Sequence, residues 1–262
     1  MNYESILFEI DDRGVCTLTL NQPDRHNCLS DTLIAEVRSA INVINDSTEI
    51  RVVILTGAGD TTFCAGGDLK WMEGNLALSR QQRIEQASKL AVMFGELNSL
   101  KKPLIGRLNG SAFGGGTGMI AVCDYTIAVS TAKYCLTEVK LGLIAATISP
   151  YVVRRMGEPN ARRTFLNAKM MTADEAQKYG LVSEVVSPEQ LDETIEKEIQ
   201  MFLRCAPGAI AMTKELIAFV SSHEQHDNFR FTADRLADAW ETEEGKAGIE
   251  AFLAKKKPYW QQ

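Results

Sequence analysis

The sequence predicts an α/β fold, a layered core of strands and helices followed by an all-helical C-terminal region. Three observations carry this. Short runs of aliphatic and β-branched residues alternate with helical patterns through the first half of the chain. Glycine clusters at Gly66–Gly67 and Gly114–Gly116 interrupt that alternation. Beyond about residue 200 only helical patterns remain. No linker rich in Gly, Ser or Pro precedes them, so they must pack on something. The expected division is a core over residues 1–199 and a helical region over 200–262.

Taken in order, residues 6–10 and 15–20 read as two short strands joined by a turn at 11–14. Residues 21–27 are polar and hold Pro23, which makes a loop. Ser30 or Asp31 caps a helix running to about Ile44, with Leu33, Ile34, Val37, Ile41 and Ile44 on one face. Residues 51–56 form a buried strand that stops at Gly57. Residues 85–97 read as helix and 103–108 as strand. The second glycine cluster opens a short apolar helix ending near Cys123, and 125–129 is again a strand. Residues 154–178 read as helices broken at Gly157 and Pro159, and 181–186 as one more strand. Helical patterns then cover 188–203, 207–220, 227–240 and 243–255.

The composition is that of an ordinary globular chain. It has 262 residues, 45% of them hydrophobic and 24% charged, with a formal net charge of -6. Diffuse acidity gives no basic footprint for nucleic acid. It leaves room for a local cationic patch, and Lys255, Lys256 and Lys257 form one. The 6 cysteines contain no Cys-x-x-Cys pair and sit mostly in apolar stretches, as small buried hydrophobes do. His223 and His226 lack a third residue at metal-ligand spacing, so no metal is expected. The start reads as neither a signal nor a transit peptide. No apolar run approaches the roughly 20 residues of a membrane helix. A cytoplasmic protein without membrane or nucleic-acid partners is the expectation.

Chemistry concentrates in two segments, Phe63-Cys64-Ala65-Gly66-Gly67-Asp68-Leu69-Lys70 and Asn109-Gly110-Ser111-Ala112-Phe113-Gly114-Gly115-Gly116-Thr117-Gly118. Glycine collects where the backbone needs positive φ or where another chain or ligand comes close. A glycine run that opens a helix also exposes free amides. Two such segments can aim two N–H groups at one oxygen; tight helix packing is the plainer alternative. Neither segment has the spacing of a dinucleotide fingerprint or a P-loop.

These segments resemble the two signature loops of the enoyl-CoA hydratase/isomerase (crotonase) superfamily. The resemblance continues through Cys123-Asp124-Tyr125, residues 134–142, the Thr172-Ala173-x-Glu175-Ala176 helix before Gly180-Leu181-Val182, and the tail from Phe252 to Pro258. It implies a crotonase-like spiral of repeated ββα units with a helical C-terminal trimerisation region. It implies an acyl-CoA substrate, with coenzyme A part of that substrate and no separate cofactor. The implied oxyanion donors are the amides of Gly67 and Gly115. Around the adenine and pantetheine arm it places Arg25, Asn27, Cys28, Ala65, Gly66 and Asp68. Lys70 falls near the phosphates, and Lys257 reaches them from a neighbouring subunit. The implied assembly is a homotrimer or homohexamer.

Hydratases of this family commonly hold one water between two glutamates. The first acid lies two residues after the glycine triplet, where this chain has Gly118. The second falls at Glu138, within Leu136-Thr137-Glu138-Val139-Lys140-Leu141-Gly142. The resemblance therefore implies a single acid/base, Glu138, serving either hydration or double-bond isomerisation, with decarboxylation through the same enolate hole a third option. The stretches at 70–72 and 141–154 look like bacterial methylglutaconyl-CoA hydratases and isohexenylglutaconyl-CoA hydratases. Members of that branch also tend to lack the first acid, which favours hydration of a 3-methylglutaconyl-like thioester. Ala145 departs from a common proline. The distal carboxylate of such a substrate needs a cation or several donors; Arg154, Arg155, Arg107 and Lys140 are candidates. Trp71, Met72 and Met119 are candidates for the acyl slot, with core packing an equal account of each.

Overall fold

The computed structural model describes residues 3–261. β1 (Ile6–Ile10) and β2 (Val15–Leu20) form an antiparallel hairpin with Ile6 opposite Leu20. Ser30 then caps α1 (Asp31–Asp46) by accepting the Leu33 amide at 3.2 Å. The face expected from the sequence, including Leu33, Val37 and Ile41, is buried.

Three units of similar plan follow. β3 (Val52–Gly57) leads to β4 (Thr62–Cys64), then to α2 (Leu69–Leu76) and α3 (Arg80–Asn98). β5 (Leu104–Leu108) leads to β6 (Ser111–Phe113) and α4 (Gly115–Ala121). β7 (Tyr125–Val129) leads to β8 (Lys133–Cys135) and α5 (Ser149–Phe165). In each unit the first strand enters one sheet and the second strand another. The larger sheet has the order β1-β2-β3-β5-β7-β10, parallel from β2 onward, with β10 at Glu184–Val186. The smaller has the order β4-β6-β8-β9, with β9 at Met171–Thr172 running antiparallel to β8. This is the spiral of ββα units that the resemblance implies.

Burial explains the larger sheet. Every residue of β3 is buried, as a central parallel strand covered on both faces requires. The smaller sheet is different. Its strands have only two or three residues, too few for an alternation to show in sequence. It nevertheless sets the ends of β4 and β6 side by side, which brings the two glycine loops together.

Several boundaries differ from expectation. α3 begins at Arg80 rather than near residue 85, because Ser79 and Gln82 form a capping box. α2 was not expected; none of its residues is buried, so it shows no core stripe. The last expected strand shortens to β10. α5 kinks at Gly157, where φ is 73°. α6 (Ala173–Lys178) is capped by the Thr172–Glu175 box.

The expected division between residues 199 and 200 falls inside α7 (Leu191–Leu203). That helix buries Leu191, Ile195 and Ile199 in the core. Beyond α7, none of α8 (Pro207–Val220), α9 (Gln225–Glu241) and α10 (Glu243–Leu253) has a buried residue. Glu244 joins them by accepting the Gly208 and Ala209 amides of α8 at 3.0 and 3.1 Å. Lys214 on α8 pairs with Asp124 of the core. Large apolar side chains stay exposed on this region, with Phe229 at 66% and Phe252 at 81%. No described helix is long and apolar enough to cross a membrane.

Arg155 fastens α5 to the sheet from within. Its guanidinium donates to the carbonyls of Leu181 and Cys123 and to the hydroxyls of Thr126 and Ser183. Burial pushes its pKa down, against the nearby Cys123 and Asp124. Replacing it leaves two buried carbonyls without a donor. Arg155→Met is expected to lower the unfolding free energy by about 3 kcal/mol in chemical denaturation. A loss within 0.5 kcal/mol or so, the ordinary range of a surface change, would show that Arg155 does not fasten α5.

Candidate active site

The first glycine loop leaves β4 at Cys64 and is held by backbone bonds to residues 26–29. The Ala65 amide donates to His26 O at 2.9 Å, Leu29 N to Gly66 O at 2.7 Å, and Asp68 N to Leu29 O at 3.1 Å. The Gly67 amide stands outside this ladder and donates to no backbone group among the described residues. Asp68 then caps α2 by accepting the Trp71 amide at 2.9 Å. It also accepts the Cys28 thiol at 3.0 Å and pairs with Arg25. Burial alone would raise the Asp68 pKa. The Cys28 thiol, the Trp71 amide and the Arg25 charge outweigh it and hold the carboxyl below its usual range. The same surroundings push the Cys28 thiol up to about 11, burial first and Asp68 second, so it is not a nucleophile at neutral pH.

The second loop leaves β6 at Phe113. Gly114 adopts φ 48° and donates to Cys135 O at 2.8 Å, which ties the loop to β8. Gly115 opens α4, and its amide has no backbone acceptor among the described residues. α4 has only 7 residues, so the free amide matters more than a helix dipole. The two loops touch. A side chain at Gly66, where φ is +85°, would place Cβ 2.5 Å from Phe113 O and 3.2 Å from Gly115 N. Only glycine allows the approach that brings the amides of 67 and 115 to one place.

Glu138 enters from β8. It opens a short 3-10 turn, Glu138–Leu141, closed by Gly142 in the left-handed region and by Leu143 N donating to Glu138 O at 3.0 Å. Its Oε1 lies 3.1 Å from where a Cβ on Gly114 would stand. Its Oε2 is buried and has no hydrogen-bond partner among the described residues. Burial raises the Glu138 pKa, and a hydrogen bond from its own backbone only partly opposes this.

Gly67, Gly115 and Glu138 line one cavity of about 320 Å³. Its other walls are largely apolar and include Leu29, Ile34, Met72, Leu90 and Ile148. Thr137, Thr147 and the Trp71 indole add the remaining polar side-chain atoms. A larger cavity of about 660 Å³ lies between the core and α8; Gly67, Gly115 and Glu138 do not line it.

Gly118 is closed to an acid by packing. A Cβ there would lie 2.2 Å from Ile148 Cγ2 and 3.1 Å from the Phe94 ring. Ile148 itself is buried and lines the cavity. A hydrocarbon therefore fills the space that a second carboxylate would need.

The other expected residues fall into groups. Ala65, Trp71 and Met72 line the cavity, and Gly66 lies in its first loop. Met119 does not; it is fully buried in the core, which is the second of the two accounts open for it. Asn27 is also fully buried, at 0% exposure. Its side chain accepts Gln22 N and donates to the carbonyls of Ala58 and Thr62, so it shapes the loop from inside. Lys70 and Lys257 are exposed and line no part of the cavity. None of the candidate cations reaches it. Arg154 lines the larger cavity, Arg155 is held by the carbonyls of Leu181 and Cys123, Arg107 pairs with Asp192, and Lys140 is not among the lining residues. Sequence reasoning missed Leu29, Thr137 and Ile148. Their only signal is position: beside a loop, before the acid, and after a run of small residues.

A family model described as enoyl-CoA hydratase/isomerase matches residues 11–262. The crotonyl-CoA hydratase of Syntrophomonas wolfei is 31% identical, over 98% of each chain. The crystal structure of an enoyl-CoA hydratase from Shewanella pealeana superposes with a TM-score of 0.94 at 31% identity, covering 98% of this chain and 96% of that one. Pseudomonas aeruginosa AtuE also gives a TM-score of 0.94, at 34% identity, covering 99% and 100%.

Two outcomes follow from packing and charge at the site. Gly118→Ala is expected to lower stability by about 1–3 kcal/mol in denaturant titration, because Ile148 must move. An unchanged midpoint would show that the pocket floor yields. For Glu138, the folded carboxyl holds its proton more tightly than the unfolded one. Its contribution to folding is therefore full below the ordinary carboxylate range and is lost as pH rises through the raised value. Glu138→Gln is thus expected to raise the thermal midpoint at pH 7 and leave it unchanged at pH 3. A midpoint lowered at pH 7 would contradict this desolvation.

Proposed function

The chain belongs to the enoyl-CoA hydratase/isomerase family, and on that footing we propose that it adds water across the 2,3 double bond of an enoyl-CoA with Glu138 as the sole acid/base. The observation that carries this reading is the meeting, in an apolar cavity, of one desolvated carboxyl, its Oε2 without a partner among the described residues, with two backbone amides that donate to no backbone group there.

The thioester oxygen accepts from Gly67 and Gly115. Water oxygen bonds to C3, the π electrons move to C2 and the carbonyl, and the resulting enolate oxygen draws on both amides. Such donors act most on the developing charge, and losing one typically costs about 3 kcal/mol of barrier lowering. Glu138 takes the water proton as the C–O bond forms, then gives it to C2 as the enolate collapses. One hydrogen of the water ends on C2 and the other stays on the new hydroxyl. A raised pKa suits a group that must take and return a proton near neutral pH.

The absence of an acid at Gly118 favours a second reading, isomerisation, in which Glu138 moves a proton between C2 and C4. The similar proteins described as hydratases support hydration instead. The finer substrate reading is a 3-methylglutaconyl-like acyl group, supported by the sequence at 70–72 and 141–154. Since no Lys or Arg among the described residues lines this protomer's cavity, its carboxylate would rely on other donors, the Trp71 indole N–H and the Thr147 hydroxyl. A neighbouring protomer is the other source. Arg25, Lys70 and residues 65–68 are proposed to hold the CoA arm, with Asn27 and Cys28 shaping the loop behind them. The exposed apolar surface of α8–α10 supports a trimer or hexamer that brings Lys257 to a neighbour's phosphates.

A panel of CoA thioesters tests this. Wild type is expected to hydrate 3-methylglutaconyl-CoA faster than uncharged 3-methylcrotonyl-CoA, and to migrate the bond of a 3-enoyl-CoA slowly. In D2O the hydration product is expected to carry deuterium on C2 syn to the hydroxyl, since one carboxyl serves one face. Glu138→Gln is expected to lose on the order of 10³-fold in turnover. Unchanged turnover, or anti addition, would rule out this mechanism.

A further inference from the structure

A water that attacks C3 needs more than a base. Held by one hydrogen bond to a carboxylate, it can still turn about that bond, and its lone pair is aimed at C3 only part of the time. A second acceptor fixes the turn. In this cavity that acceptor is not an acid at position 118, because Ile148 occupies the space. The Trp71 indole N–H only donates.

Two hydroxyls line the cavity, Thr137 and Thr147, and Thr137 is the one beside the acid, immediately before Glu138. Its Oγ1 lies 3.6 Å from the point where a Cβ on Gly114 would stand, and Glu138 Oε1 lies 3.1 Å from the same point. One water, with hydrogen bonds of about 2.8 Å, can reach two acceptors that close. The Thr137 hydroxyl is not used elsewhere. It does not cap the turn that follows, and it has no partner among the described residues. The residue is half-buried and lines the cavity. Gly114 supplies the opening, since any side chain there would stand between the two oxygens and the second loop.

We propose that Thr137 is the positioning residue for the attacking water, its Oγ1 accepting one water hydrogen while Glu138 accepts the other. This rests on the hydratase reading above and assigns the work of the absent acid: orientation passes to a neutral hydroxyl, and proton transfer stays with Glu138. The hydroxyl keeps its own proton throughout, so the proton balance of the reaction is unaltered.

The test compares two reactions of the whole enzyme. Hydration of an enoyl-CoA needs the placed water. Exchange of the α-proton of butyryl-CoA in D2O, followed by NMR, needs Glu138 and the amide pair but no attack at C3. Thr137→Val keeps the shape and removes the hydroxyl; Thr137→Ser restores it. Thr137→Val is expected to cut kcat for hydration by on the order of thirtyfold with KM changed less than about twofold, and to slow exchange far less. Thr137→Ser is expected to recover most of the hydration rate. Equal losses in both reactions would overturn the proposal, because Thr137 would then act on Glu138 itself or on the fold. So would a valine variant that hydrates as fast as wild type. A wild type that exchanges but never hydrates would overturn the hydratase reading, and the proposal with it.

Discussion

One buried carboxylate oxygen, Glu138 Oε2, in a cavity with two backbone amides, all three without a hydrogen-bond partner among the described residues, is the arrangement on which the rest of this structure depends. Each group left unpaired in an apolar cavity carries an energetic penalty. The fold supports that penalty by fixing all three from separate units. β4 ends at the Gly67 loop, β6 at the Gly115 loop, and β8 at Glu138. The smaller sheet exists to hold these three ends together, and the glycine at 66 lets the first two come into contact. A bound thioester would satisfy the amides and draw the carboxyl into the reaction.

Gly118 and Ile148 then determine what kind of site this becomes. A second carboxylate near the first would repel it and raise the pKa of the pair further. Here a methyl group takes that space and leaves Glu138 with desolvation alone as the cause of its shift. The arrangement is chemically spare, and it makes the neighbouring neutral groups more important. The apolar walls also set a limit on the acyl group, since no Lys or Arg among the described residues lines the cavity.

Much of this was legible in the sequence. The hairpin, α1 and the parallel strands follow from residues such as Val37, Ile41 and the wholly apolar β3, where burial and period agree. Gly67, Gly115 and Glu138 were readable through resemblance, and the structure brings them to one cavity. Gly118 was readable as a missing acid, but the reason for its tolerance was not. Ile148 lies 30 positions away, and nothing local marks it as the residue that fills the space. The same holds for Met119, whose helical position suits a slot or a core equally; packing against the core decided it. The resemblance placed Asn27 beside the CoA arm, yet its amide is used by three backbone groups. The four arginine and lysine candidates failed for a related reason. A charge read from sequence has no direction until its partner, such as Asp192 for Arg107, is known.

The central claim is that a single ionisable carboxyl runs the proton chemistry. The pH dependence of kcat/KM for hydration tests it most directly. The account predicts a rate that falls with a slope of one on the acid side, through an ionisation above the ordinary glutamate range, and that vanishes with Glu138→Gln. A limb with a slope of two, or one that persists in the glutamine variant, would mean that a second acid shares the work and would contradict the account.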